Sequence, residues 1–462
     1  MRYPLTDLDH TIFRAYDVRG IVGSALSDAT VYHLGRAFAT AAQAEQVTHV
    51  HVGADGRLSS PKLKELFSAG LTDGGCQVTD VGYVPTPTLY YAAHQDAECT
   101  GVMITGSHNP ADYNGFKMML NGHTLSGDDI QSLKKIMLEQ SYSEGSASVS
   151  ELDVRKDYLQ RITSDITLTK KLKVVVDCGN GIPGELAPLL IEQLGCEVIP
   201  LYCDVDGTFP NHHPDPGKPK NLIDAIAKVK ETGADLGLAF DGDGDRVGVI
   251  TNYGDIVYPD RIMMLFAEDI LQRNPGAEII YDVKCSRLLA KVITEAGGKA
   301  TMWRTGHSLI KQKIKQSGAL LGGEMSGHIF FKERWYGFDD ALYSAARFLE
   351  ILARGDLLCS QLFEKYPEDI STPELNIDVT DENKFEIVEA LQQHDFPGGQ
   401  VNHIDGVRVD YPDGWGLLRA SNTTPVLVLR FEAETEDALQ RIRNDFEARL
   451  QQIDSSLSIP QE

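Results

Sequence analysis

Short apolar runs recur along most of the chain, each ending in a polar, glycine-bearing stretch and followed by a segment of helical period. THVHVGADGRLSS (48–60) leads through KLKELFSAGL to VMITGSHNP (102–110). KVVVDCGNGIPG (173–184) leads through ELAPLLIEQLG to LGLAF (236–240) and then DGDGDR. EIIYDVKCSR (278–287) leads through LLAKVITEAGG to LLGGEMSGH (320–328). Strand-length apolar runs alternating with helical segments predict βαβ units and mainly parallel sheets, where ligands collect beyond the carboxyl ends of the strands. All three closing motifs fall there.

The end of the chain has a different pattern. LNIDVTDENKFEIVEALQQ, VRVDYPDGWGLLRA and PVLVLRFEAET carry strand patterns, with Asp413-Gly414 as a hairpin turn, before a final helix DALQRIRNDFEARL. SYSEGSASVSEL (141–152) is a Ser/Gly-rich linker candidate, and NYGDIVYPD (252–260) and KYPEDISTPE (365–374) are further junctions. The expectation is an α/β protein of three consecutive domains with mixed, mainly parallel sheets and a fourth, smaller α+β domain. The boundaries fall at 1–152, 153–255, 256–367 and 368–462. A chain of 462 residues agrees, since about 150 residues per domain gives three or four.

Composition narrows the partners. A net charge of −24 disfavours nucleic acid and anionic membrane, which both repel an acidic surface. A small anionic ligand stays open if a basic pocket overrides that field locally. The seven cysteines are scattered without a C-x-x-C pair, which predicts reduced thiols, a cytoplasmic location and no thiolate metal site. MRYPLTDLDHTIF lacks the apolar core of a signal peptide, and no run approaches the ~18 apolar residues of a membrane span.

The sharpest chemical signal is LAFDGDGDRVGVI. Asp241, Asp243 and Asp245 alternate with glycines after a buried strand, and carboxylates this close repel one another unless a cation sits between them. Hard oxygen ligands favour Mg²⁺ or Ca²⁺. An EF-hand is excluded, because Arg246 and Asn252 stand where its loop needs Gly and Glu. Such a metal completes its shell with water or phosphate, which draws in Ser107 of TGSHNP. His108 is a poor base for Ser107 if the segment is extended, since neighbouring side chains then point apart, and no G-x-S-x-G elbow is present. A serine carrying a phosphoryl group fits better, with Gly106 leaving room for it and Lys117 neutralising it. The adjacent His212 and His213 in NHHPDPGKPKNL are taken as a loop and not as metal ligands.

TGSHNPADYNGFK, FDGDGDR, GEMSGH and RASNTTP, in this order, resemble the four signature loops of the α-D-phosphohexomutases, most like their bacterial phosphomannomutase/phosphoglucomutase branch. YDVRG near the start and RTGHS in the third region extend the resemblance over nearly the whole chain. It implies four domains around a central cleft, with Ser107 the phosphorylated residue and Mg²⁺ held by Asp241, Asp243, Asp245 and the group on Ser107. Arg19 and Lys117 would sit beside the phosphate, with His307 sharing in proton transfer. Glu324 and Ser326 would bond sugar hydroxyls, and Arg419, Ser421, Asn422 and Thr423 the phosphate that is not reacting. Tyr16, Arg246, Lys284, His307 and His328 complete the candidate substrate contacts. For Tyr16 and Arg246, plain packing or ion pairing stands as the alternative.

The implied reaction interconverts mannose 6-phosphate with mannose 1-phosphate, and glucose 6-phosphate with glucose 1-phosphate. It runs through a hexose 1,6-bisphosphate, which also serves as activator. The expected partner is a small phosphohexose substrate, and the expected state of the protein is a monomer. Rival readings are a phosphoglucosamine mutase, against which Met325 counts because such relatives tend to carry Gln there, a Mg²⁺-dependent sugar-phosphate phosphatase, and a non-catalytic sensor.

Overall fold

The structure, a computed structural model, describes residues 3–422 and 424–461. Four sheets follow one another along the chain. In the first, Gly101–Ile104, His49–Ala54, Gln77–Tyr83 and Val149–Glu151 run parallel. Tyr113–Leu120 returns antiparallel beside Gly101–Ile104, and Val18–Ile21 pairs with its other edge. The second sheet is ordered Ile256–Val257, Val247–Thr251, Leu236–Phe240, Lys173–Asp177, Glu197–Leu201. The third is ordered Lys299–Trp303, Glu278–Asp282, Leu321–Gly323, Ile329–Phe331.

One device repeats in all three. A parallel strand buried on both faces ends in a polar loop, and the chain returns antiparallel beside it. Ser107 lies in the loop after Gly101–Ile104, Asp241 in that after Leu236–Phe240, and Glu324 in that after Leu321–Gly323. The fully buried patterns of Gly101–Ile104 and Leu236–Phe240 explain why these segments are continuous apolar runs and not alternating ones. The placement beyond the carboxyl ends agrees with the sequence pattern.

The fourth sheet is antiparallel, with Val426–Ala433 paired to Gly414–Ala420, Leu375–Asp378 and Ile370–Ser371. Two details depart from expectation. Tyr411 pairs with Gly414, so the hairpin turn is Pro412-Asp413 and Gly414 opens the returning strand. A Cβ at Gly414 would stand 2.4 Å from the Glu432 carbonyl, which explains the glycine inside the ladder. The segment at 141–152 is also not wholly a linker, because Val149–Glu151 adds an edge strand to the first sheet. Its residues are all exposed, so no apolar pattern marks it.

One hydrophobic cluster joins the second and third sheets, and Tyr90 and Tyr91 of the first region pack into it. The last region docks on the third through two buried arginines. Arg408 Nη1 donates to the Val283 and Cys285 carbonyls at 2.6 and 2.9 Å, and Arg430 donates to Lys284 O. No helix among the described residues is long and apolar enough to cross a membrane.

Candidate active site

The Asp-Gly-Asp-Gly-Asp loop is wholly buried, and one carboxylate oxygen from each of Asp241, Asp243 and Asp245 lies within 4.8 Å of the others. Its curl is fixed from within, since Asp241 Oδ1 accepts from the backbone N–H groups of Gly244, Asp245 and Arg246 at 3.0–3.1 Å. Gly242 is required by its neighbour, because a Cβ there would stand 2.4 Å from the Ser107 carbonyl. From the first region, Thr86 Oγ1 donates to Asp243 Oδ2 at 2.5 Å. Lys117 Nζ donates to the same oxygen at 2.7 Å and also to Asp245 Oδ2.

Burial and the charges of Asp245 and Asp243 push the Asp241 carboxyl well up. Burial opposes a charge on Lys117, but Asp243 and Asp245 outweigh it and hold the amine well above its ordinary range. Among the described residues, Asp243 Oδ1 is buried without a hydrogen-bond donor. An all-oxygen set with an orphaned buried acceptor fits a hard divalent cation.

Ser107 Oγ donates to Asp241 Oδ2 at 3.0 Å. The same oxygen lies 3.1 Å from His108 Nδ1, although an extended segment would have parted the two side chains. The reason is local: Ser107 sits at φ 48°, in the left-handed region, which turns both groups to one side. Burial, then Arg246 and Arg19, hold His108 neutral.

Gly106 also plays a different part from the one expected. A Cβ there would stand 2.4 Å from the Arg57 guanidinium, so the glycine makes room for an arginine and not for a phosphoryl group. Arg57 is 2% exposed and donates to four backbone carbonyls of the loop, at Ser107, Asn109, Pro110 and Tyr113, over 2.6–3.0 Å. Sequence reasoning missed it. Its signal was an arginine directly beyond a buried strand, in GADGR. His213 bonds the His108 carbonyl and His212 meets Asp177 at 3.0 Å, so both histidines brace loops.

Arg19 stands opposite Gly115 on the paired strand, so Arg19 and Lys117 share a sheet face. Its Nη2 donates to Asp17 at 2.5 Å, and its Nε has no partner among the described residues. On the third region's side, Glu324 Oε1 accepts from Gly306 N at 2.5 Å and Oε2 pairs with His328 Nδ1 at 2.7 Å. Ser326 Oγ is 3.0 Å from the same nitrogen. His328 Nε2 faces Asp245 Oδ1 at 3.3 Å, and Arg246 Nε lies 3.2 Å from the same nitrogen. The aspartate loop and the sugar-loop candidates are therefore one network.

Burial, then Lys311 and Lys117, push the His307 imidazole well below its usual range, leaving it neutral. Its Nδ1 is buried without a hydrogen bond, 3.7 Å from Asp339, which in turn accepts from Lys311 at 2.8 Å.

Arg419 Nε donates to Asp405 at 3.0 Å, and that carboxylate also accepts from Thr305 N at 2.9 Å. Arg419 Nη2 is buried with no partner among the described residues. Ser421 Oγ meets Thr424 Oγ1 at 2.8 Å, and Asn422 Nδ2 donates to the Tyr16 hydroxyl, which itself donates to Thr305 O at 2.7 Å. Tyr16 thus links the first, third and last regions. Lys284 Nζ pairs with Glu374 at 3.0 Å. Thr423 lies outside the described residues.

Arg57→Met keeps the volume but strips four donors from the Ser107 loop. Loop misplacement of about 1 Å should lower kcat by roughly a hundredfold, while circular dichroism and Mg²⁺ binding stay as in the parent. Undiminished kcat would remove Arg57 from the positioning role.

The comparisons agree with this geometry. The chain matches the descriptions "Phosphoglucomutase/phosphomannomutase, alpha/beta/alpha domain I", "domain II" and "domain III" at residues 10–144, 156–254 and 258–369, and the C-terminal domain at 374–449. A phosphomannomutase/phosphoglucomutase of Pseudomonas putida is 60% identical over 454 residues, 98% of each chain. A phosphoglucomutase of Neisseria meningitidis is 53% identical over 96% of this chain and 97% of its own. The crystal structure of a phosphoglucomutase/phosphomannomutase family protein from Burkholderia thailandensis superposes with a TM-score of 0.94 at 50% identity. It covers 98% of this chain and 100% of that one. With four domains matched in order and the four loops converging on one cleft, the chain belongs to the phosphoglucomutase/phosphomannomutase family.

Proposed function

We propose that the protein interconverts the 1- and 6-phosphates of glucose and of mannose through a phosphorylated Ser107 and a hexose 1,6-bisphosphate. The observation that carries this reading is Ser107 Oγ at 3.0 Å from Asp241, inside a cluster of three buried carboxylates that also holds Lys117. The names of the 60% and 53% identical relatives supply the two sugars. In this reading the four domains divide at 152, 255 and 367, each giving one loop to the cleft.

In the first half-reaction the phosphoryl group leaves Ser107 Oγ for a sugar hydroxyl oxygen, and the hydroxyl proton passes to a base. Neutral His307 has an imidazole lone pair for that proton. Lys117 and Arg19 offset charge on the group in transit. In the second half the bisphosphate, turned end for end, returns its other phosphoryl group to Ser107 Oγ, and the proton goes back to the sugar oxygen. His108 Nδ1, beside Oγ, can take the serine proton as Oγ gains the phosphoryl group and return it as that group leaves. Mg²⁺ bound by Asp241, Asp243 and Asp245 would supply charge opposite the developing negative charge. Glu324 and Ser326 orient the ring hydroxyls, flanked by Arg246, His328, Tyr16 and Lys284. Arg419, Ser421, Asn422 and Thr423 cradle the idle phosphate.

A coupled assay with glucose 1-phosphate, mannose 1-phosphate and glucosamine 1-phosphate, with and without catalytic bisphosphate, tests this. Turnover of the first two, dependent on bisphosphate, is expected. Inorganic phosphate released in step with turnover would mean a phosphatase instead.

Ser107→Ala should leave fold and metal binding intact and lower turnover by several orders of magnitude, and mass spectrometry should find phosphate on Ser107 of the parent. Full activity of the alanine variant would sink the assignment.

Arg419→Ala removes the buried Nη2 donor, which has no partner among the described residues. A charge-assisted bond contributes about 1.5–3 kcal/mol, so KM for the phosphohexose should rise roughly ten- to a hundredfold. Steady-state kinetics with an unchanged KM would exclude this loop as a phosphate cradle.

A further inference from the structure

At the amino end of the first sheet, opposite the Ser107 loop, His49, His51 and Asp96 converge. One imidazole nitrogen from each histidine and one carboxylate oxygen lie within 4.8 Å of one another. His49 and His51 are alternate residues of the strand His49–Ala54, so they share a face, and their ring centroids are 4.6 Å apart. Asp96 comes from the turn after helix Thr86–His94.

Each group is tied down by its far atom. His51 Nδ1 meets the Thr100 carbonyl at 3.3 Å, which makes Nδ1 the protonated nitrogen and leaves a lone pair on Nε2. That Nε2 makes no hydrogen bond among the described residues, although His51 is only 4% exposed. His49 Nε2 lies 2.7 Å from Thr79 Oγ1, leaving Nδ1 facing Asp96 Oδ2 at 2.5 Å. Asp96 Oδ1 accepts from Glu98 N at 3.2 Å. Glu98 itself is occupied by the backbone N–H groups of Thr48 and His49, both at 2.8 Å. A histidine whose second nitrogen bonds a carbonyl or hydroxyl is the arrangement that fixes tautomer and orientation for a metal.

We propose that His49 Nδ1, His51 Nε2 and a carboxylate oxygen of Asp96 form a second cation site, separate from the aspartate loop and suited to zinc-class transition-metal ions. Two imidazoles and one carboxylate select Zn²⁺ or Co²⁺ over Mg²⁺, with water in the remaining position. Metal–ligand lengths of about 2.0–2.2 Å need the three atoms to close in from their present spacing. The His49 and Asp96 side chains, 27% and 26% exposed, have the freedom to do so and leave an entry path. Binding at Nδ1 moves the His49 proton to Nε2, where Thr79 Oγ1 accepts it, and leaves Asp96 Oδ2 to the metal. It clips the start of His49–Ala54 to the turn that feeds Gly101–Ile104 and the Ser107 loop.

The test is equilibrium dialysis of the full chain against Zn²⁺ with Mg²⁺ in excess, repeated with Co²⁺ read by its visible absorption. The parent should bind one equivalent that Asp243→Asn retains, with a rise in melting temperature. Asp96→Asn should weaken that equivalent by at least about a hundredfold, and Thr79→Ala by roughly tenfold. His51→Asn serves as an independent check on the Asp96 result. Binding unchanged in both Asp96→Asn and His51→Asn, or abolished by Asp243→Asn, would overturn the site.

Discussion

Three carboxylates buried against one another are the constraint on which the rest of the cleft depends. Asp241, Asp243 and Asp245 are each 0% exposed, and like charges at that separation in a dry loop would expel one another without compensation. The compensation comes from elsewhere in the chain. Lys117 and Thr86 reach in from the first region, His328 from the third, and three backbone N–H groups from the loop itself. The side-chain contacts from Lys117, Thr86 and His328 all cross from other loops. The charge balance of the aspartates and the juxtaposition of the first three domains are consequently one problem.

The same economy governs the loops around it. A loop that returns directly into an antiparallel strand has carbonyls turned inward with no ladder to satisfy them. Arginine is suited to such a place, because its planar fork serves several acceptors at once. Arg57 does this for the Ser107 loop, and Arg408 and Arg430 do the same for a strand-to-helix turn, Val283–Cys285, on which the last domain rests. These side chains hold irregular backbone fixed without touching any reacting group.

This division explains what was legible in the sequence. Strands buried on both faces announce themselves as apolar runs, and Asp-Gly alternation announces carboxylates that must converge. Both were read correctly. The conformation of Ser107 was not, because a left-handed serine leaves no mark in a pattern that also suits an extended segment. Arg57 and Asp405 act on partners about fifty and a hundred positions away, at Ser107 and at Thr305, and no local spacing encodes that. Gly106 was noticed but assigned the wrong neighbour, since a glycine shows that something approaches closely without saying what. The edge strand Val149–Glu151 exposes all its side chains, so its only signature is a backbone ladder.

The chain's charge poses the remaining question of how a molecule at −24 would hold the doubly phosphorylated sugar of the proposed reaction. The cleft gathers cations, yet nearly every one is already paired: Arg19 with Asp17, Lys117 with Asp243 and Asp245, Lys284 with Glu374, Lys311 with Asp339, Arg419 with Asp405. The partner carboxylates fix each cation in place and at the same time blunt its field. On the proposed reaction that compromise is useful. An intermediate that must turn end for end has to be gripped by either phosphate and released by both. Unpaired guanidinium and ammonium groups would bind the bisphosphate so tightly that the grip would be uniform and would not raise turnover. What remains free for an anion is a set of single donors, such as Arg19 Nε and Arg419 Nη2, pre-aimed by the ion pairs behind them. The acidic partners therefore set how strongly the cleft holds its ligand, and the position of each cation sets where.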